Sequence, residues 1–125
     1  MEAFVERVVG IGGVFLRSRD AQKLADWYRE HLGVPVEDGQ TYATLTSLAA
    51  GEATVWSTFP PDTDYFGPSN AAFMINFRVR DLDAMLNQLR AAGVEVLERV
   101  EDYGYGRFGW AVDPEGNRIE LWEPK

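Results

Sequence analysis

The side chains best suited to chemistry in this chain are few. Glu120 stands in the run Arg118-Ile119-Glu120-Leu121-Trp122, where strand alternation puts Arg118, Glu120 and Trp122 on one face and Ile119 and Leu121 on the other. Among aromatic walls the charged form of a carboxylate is disfavoured, so Glu120 is expected to titrate nearer neutral pH, where it can act as a general acid or base. Other reactive groups are scarce. The chain has no Cys, which removes thiolate metal ligands, cysteine nucleophiles and any disulfide framework. Its single histidine, His31, falls near the C-terminal end of a predicted helix, where its charge suits the dipole better than a ligand role. Asp113, in Asp113-Pro114-Glu115-Gly116-Asn117, reads as a turn residue bonding nearby amides, with a catalytic acid as the alternative. No nucleophilic triad, phosphate-binding glycine loop or dinucleotide fingerprint is evident.

These residues must be positioned by elements that the chain states twice. Arg17-Ser18-Arg19-Asp20, opening an amphipathic segment that ends at Gly33, returns as Arg78-Val79-Arg80-Asp81, opening a segment that ends at Gly93. Each copy follows an alternating run, Gly10 to Leu16 and Ala71 to Phe77, and precedes about three further strand-like runs. The first helix is expected over Asp20 to Leu32, with Asp20 as N-cap, Gly33 closing the last turn, and Ala21, Leu24, Ala25, Tyr28 and Leu32 facing a sheet. The second is expected over Asp81 to Ala92, with Leu82, Met85, Leu86 and Leu89 inward. Between the copies, residues 60–70 read as a linker because Pro60, Pro61, Gly67 and Pro68 sustain neither period. Tyr65 and Phe66 within it need somewhere to pack, under the loop, over a pocket or on a neighbouring subunit. Asp113 to Asn117 should join two strands as a hairpin. The glycine-aromatic stretch from Tyr103 to Trp110 reads as a loop entering the penultimate strand, carrying either aromatic walls of a cavity mouth or surface tyrosines.

Composition sets the class. With 125 residues, 46% apolar and 13% aromatic, the chain is expected to form one domain, residues 1–125, with modules at about 8–60 and 71–124. A net charge of -8 without a basic cluster argues against nucleic acid and favours cationic ligands at long range. The acidic start Met1-Glu2-Ala3-Phe4-Val5-Glu6 does not read as a secretory signal, and no apolar run approaches the roughly 20 residues of a membrane span. A cytoplasmic protein with no membrane association is the expectation.

The tandem modules, the segment Trp27-Tyr28-Arg29-Glu30-His31-Leu32-Gly33 and the ending Asp-Pro-Glu-Gly-Asn-Arg-Ile-Glu-Leu-Trp-Glu-Pro together resemble the vicinal oxygen chelate superfamily. That superfamily includes glyoxalase I, bleomycin-resistance proteins, fosfomycin-resistance enzymes and extradiol dioxygenases, and the likeness covers nearly the whole chain. It implies an α+β fold of two βαβββ modules, a mixed sheet curled around a cavity with helices on the convex side, and a homodimer that shares cavities between chains. It also implies metal ligands on the first and last strands of each module, which map here to Gly13, Thr54, Met74 and Glu120. Only Glu120 is a good ligand for a divalent ion, so no metal and no other cofactor is expected.

From those mapped positions, alternation suggests the cavity lining. Phe15 and Arg17 should share a face with Gly13, Trp56 with Thr54, Asn76 and Arg78 with Met74, and Trp122 with Glu120, while Tyr105 and Trp110 come from the glycine-aromatic stretch. Val14, Leu16, Val55, Phe73, Ile75, Phe77, Val79, Ile119 and Leu121 are left for the helix side. Such a lining suits a flat organic ligand held by stacking and oriented by a few polar groups. The expected function is therefore metal-independent binding of a small aromatic or natural-product molecule. A lyase or isomerase using Glu120, a metal-dependent glyoxalase- or dioxygenase-type enzyme, and a closed structural module are the alternatives.

Overall fold

The computed structural model describes residues 5–46, 53–68 and 70–125. Along the chain they form β1 (Val8–Arg17), α1 (Ala21–Leu32), β2 (Tyr42–Thr46), β3 (Ala53–Phe59), β4 (Phe73–Val79), α2 (Leu82–Ala91), β5 (Glu95–Val96), β6 (Glu101–Tyr103), β7 (Gly106–Val112) and β8 (Arg118–Pro124). Parallel and antiparallel pairings mix, giving an α+β fold. The expectations for Met1 to Phe4, for Ser69 and for the Leu32 side chain lie outside the described residues.

Both helices start as their sequences dictate. Asp20 and Asp81 are extended, and each Oδ1 accepts from the amide three residues on, Lys23 and Ala84, at 3.0 Å. α1 ends at Gly33, whose φ of 68° lets its amide turn back to the Arg29 carbonyl at 3.2 Å. α2 has a second cap, because Glu123 Oε1 accepts from the Leu82 amide at 2.8 Å. Neither helix among the described residues is long and apolar enough to cross a membrane.

The chain divides into two compact units, Gly12–Ile75 and the combination of Met1–Ile11 with Asn76–Lys125. This division differs from the module boundaries read in the sequence, since the start of β1 belongs with the second module. The reason is visible in its bonds: the Glu6 amide donates to Gln88 Oε1 at 2.8 Å, Gln88 Nε2 returns a bond to the Glu6 carbonyl at 3.1 Å, and Arg80 pairs with the Glu6 carboxylate at 2.8 Å.

Within Gly12–Ile75, β3 pairs in parallel with β1 and antiparallel with β2. Ala25, Val36, Ala43 and Trp56 form the core under α1, with Leu16, Tyr28 and Val34 against them. In the other unit, β8 pairs in parallel with β4 and antiparallel with β7, and both β5 and β6 add to β7. Val79, Leu82, Met85, Leu86 and Leu121 form the core under α2, with Phe77 and Ile119 beside them.

Two expectations are corrected. Three strands were expected after each helix, whereas among the described residues two follow α1 and four follow α2. The apolar run Val34-Pro35-Val36 forms no ladder because Pro35 has no N–H, and Val36 buries itself beneath α1 instead. The Tyr103 to Trp110 stretch is not a loop: it turns at Gly104 and Tyr105 to make the β6–β7 hairpin.

Candidate functional site

Glu120 is 1% exposed and sits in the middle of a row that three neighbouring strands create. It lies opposite Asn76 on β4 and opposite Trp110 on β7, so the three side chains share a face. Asn76 Nδ2 donates to Glu120 Oε1 at 2.6 Å, and Trp110 Nε1 donates to Oε2 at 2.9 Å. Both carboxylate oxygens are therefore oriented by N–H donors. The Asn76 amide faces Glu120 with its nitrogen, which turns its Oδ1 away; that buried oxygen has no partner among the described residues.

Aromatic rings surround this polar row. Trp122 stacks on Phe108 with centroids 5.9 Å apart and planes 3° from parallel, as their opposed register requires. Phe108 meets Tyr103 and Tyr105 edge-on at 5.8 Å, and those two tyrosines stack on each other at 5.6 Å. The Arg99 guanidinium lies 4.4 Å from the Trp110 ring centre. Two glycines make the space: a side chain at Gly106 would run into Trp122 Nε1, and one at Gly10 would meet Arg78 Nη2 at 2.5 Å. Phe108 lies in the run Arg107 to Val112, which reads as a strand, but its place against Trp122 is set by the β7–β8 register. Tyr105 is 65% exposed and joins the cluster only at its outer edge.

The Gly12–Ile75 unit has its own aromatic cluster. Phe59 is the hub, 5.4 Å from Phe15, stacked on Tyr65 at 5.3 Å and edge-on to Phe66 at 5.2 Å. The linker thus packs its aromatics on the strands, with Phe66 1% exposed. Arg17 lies over the Phe66 ring with its Cζ 5.2 Å from the centre, and Nη1 donates to the Pro61 carbonyl at 3.4 Å. Met74 is also buried in this unit.

The face expected for β3 is corrected. Thr54 and Trp56 belong to the helix side: Trp56 packs 4.6 Å from Tyr28, and Thr58, two residues on, donates from Oγ1 to the Ala21 carbonyl at 2.9 Å. Phe15 is paired with Ser57 and Arg17 with Phe59, so Val55, Ser57 and Phe59 share the face of Phe15. Matching Thr54-Val55-Trp56 to Glu120-Leu121-Trp122 placed the strand out of step, and an odd-residue slip turns every side chain over. The prolines carry the right signal: Pro61 follows Ser57 as Pro124 follows Glu120, which makes Ser57 the counterpart of Glu120 and Phe59 the counterpart of Trp122.

A divalent metal does not fit the donors. Gly13 has no side chain, Met74 offers a thioether, Ser57 a neutral hydroxyl, and both Glu120 oxygens already accept N–H bonds. Among the described residues no group of three His, Cys, Asp or Glu side chains is placed to hold an ion.

Three surface groupings carry resolved titration shifts. Arg107 donates from both Nη atoms to the Asp83 carboxylate at 3.1 and 3.0 Å, and that bond lowers the Asp83 pKa while raising its own. The hydrogen bond that Tyr103 donates to Glu101 raises the tyrosine's pKa. Asp113 Oδ1 accepts from the amides of Glu115 and Asn117 at 2.9 Å, and the Asn117 amide is the main cause of its lowered pKa. Asp113 therefore holds the β7–β8 turn.

The family model of the Glyoxalase/Bleomycin resistance protein/Dioxygenase superfamily matches residues 10–121. Methylmalonyl-CoA epimerase from Mycobacterium tuberculosis is a similar solved structure, with 25% identity, a TM-score of 0.66, and coverage of 97% of this chain and 91% of that one. A Streptomyces coelicolor methylmalonyl-CoA epimerase variant in complex with 2-nitronate-propionyl-CoA aligns with a TM-score of 0.72 at 18% identity, covering 94% of this chain and 99% of that one. A Legionella pneumophila structure described as an NAD-dependent benzaldehyde dehydrogenase aligns at 17% identity with a TM-score of 0.60, covering 90% and 98%. No curated protein matches the chain by sequence.

Proposed function

The chain belongs to the glyoxalase/bleomycin resistance protein/dioxygenase superfamily, and from that premise we propose that it binds a small aromatic or natural-product molecule without a metal ion, as a homodimer. One observation carries the reading: a carboxamide and an indole both donate to one buried carboxylate beside an aromatic cluster, with the Asn76 carbonyl left over. A core built for packing alone satisfies or omits such groups, because an unpaired buried acceptor costs about 1–3 kcal/mol. A ligand N–H or O–H reaching Asn76 Oδ1, with a ring stacked among Trp122 and Phe108, uses both features. The net charge of -8 favours a cationic molecule at long range. The test is tryptophan fluorescence against planar aromatic and glycopeptide-like compounds. Saturable quenching with the compounds recovered unchanged supports binding, and failure across both panels sinks it.

A second reading, proton transfer by Glu120 in an isomerase, is favoured by the 25% identity to the M. tuberculosis epimerase over 97% of this chain. Ser57, the counterpart of Glu120 by register, supplies no second carboxylate, so this chemistry would rest on one acid/base group. Turnover of a bound compound, abolished by Glu120→Gln while affinity survives, would establish it over simple binding.

A further inference from the structure

We infer that Arg17 is the clamp of a second site, one that takes the carboxylate of a small organic acid beneath the linker aromatics. The guanidinium has two usable edges, and this structure treats them differently. Nη1 donates to the Pro61 carbonyl at 3.4 Å. Nε and Nη2 are both buried and have no hydrogen-bond partner among the described residues. Those two atoms form the side-on edge whose parallel N–H bonds match the two oxygens of a planar carboxylate.

Leaving that edge empty is costly. Burying a charged donor without a partner costs more than burying a neutral one, and the nearby Phe66 ring offers the face of the guanidinium attraction but accepts no in-plane bond. The surroundings also define the ligand. Phe59, Tyr65 and Phe66 form one stacked and edge-on cluster beside Arg17, and Phe59 is its register partner on β3. An aromatic monocarboxylate satisfies both parts: the oxygens take the Nε and Nη2 bonds, and the ring exchanges stacking with Tyr65 and Phe66. Because both nitrogens are covered in this structure, entry requires those linker rings to move, so binding and linker displacement are coupled. The site lies wholly in the Gly12–Ile75 unit and does not depend on the Glu120 centre.

The experiment is a titration of the ¹⁵N-labelled full chain with sodium benzoate, following the Arg17 Nε–H signal, identified by its loss in Arg17→Lys, and the Tyr65 and Phe66 amides. Benzamide serves as the neutral control and inorganic phosphate as the alternative oxyanion. The expected result is a saturable shift of Arg17 Nε–H with benzoate, moving together with both linker amides and absent with benzamide; in Arg17→Lys, which keeps the charge and loses the fork, the affinity read from the Tyr65 and Phe66 amides alone should be weakened roughly ten- to hundredfold. No saturable shift in the wild-type chain would overturn the proposal and leave the edge to ordered water. Saturation by phosphate and not by benzoate would overturn the carboxylate assignment. The wild-type titration decides the matter even if the variant does not fold.

Discussion

Asn76 is the residue on which the Glu120 centre turns, because it fixes one carboxylate oxygen and leaves a buried acceptor of its own without a bond. Replacing it with leucine of similar volume removes the donor to Oε1 and leaves a buried carboxylate short of a bond. Asn76→Leu is expected to cost about 1.5–3 kcal/mol, the range for a hydrogen bond to a charged group, measured by urea unfolding. A cost below about 0.5 kcal/mol would mean that this bond holds nothing in place. Gly106→Ala tests the aromatic side of the same centre: its φ of 153° and its closeness to Trp122 Nε1 leave no room for a methyl group, so the variant should unfold at lower temperature with altered tryptophan emission. At this scale the sequence was partly legible. Glu120, Asn76 and Trp122 could be placed on a face because the repeat and the terminal motif anchor β4 and β8. Phe108 could be read as part of a strand, Arg107 to Val112, but not as the ring opposite Trp122, since that needs the β7–β8 register.

Helix starts are the elements the chain writes most plainly, and they predict a matched pair of effects. Asp20→Ala and Asp81→Ala should each cost about 1 kcal/mol, the usual worth of an N-cap, read by thermal unfolding. Asp81→Ala should be the milder because Glu123 still caps the Leu82 amide. The β7–β8 turn predicts a pH effect. The Asp113 pKa is lowered by folding, so its contribution is present above the unfolded carboxyl value and is lost as pH falls through the folded one. Asp113→Asn should lower stability at neutral pH, where the contribution is fully present, and change it little at acid pH, so that the acid limb below about pH 4 is flatter; an unchanged acid limb would contradict that. Caps and turns were legible because side chains within a few residues make them. The register of β3 was not, because it depends on β1, far away in sequence, and an alternating Thr-Val-Trp-Ser-Thr-Phe run fits either face.

Across the whole molecule, the tandem repeat revealed the α+β class before any contact was known, yet the two compact units cut through β1 and β4 where the repeat drew its modules around them. That difference comes from hydrogen bonds between the start of the chain and α2, which no local pattern announces. The proposed homodimer predicts a sedimentation mass near twice the 14.1 kDa chain, and a monomer at every concentration would contradict it. The central claim, a ligand held without a metal, is tested most directly by titrating chelator-stripped protein with the aromatic panel while following tryptophan fluorescence, then repeating it after adding manganese, iron, nickel or zinc. The account predicts saturable quenching in the stripped protein, unaltered by any of the ions, with the compound recovered intact. Quenching that appears only once an ion is added, with about one ion retained per chain as in catalytic sites of three protein donors, would contradict it.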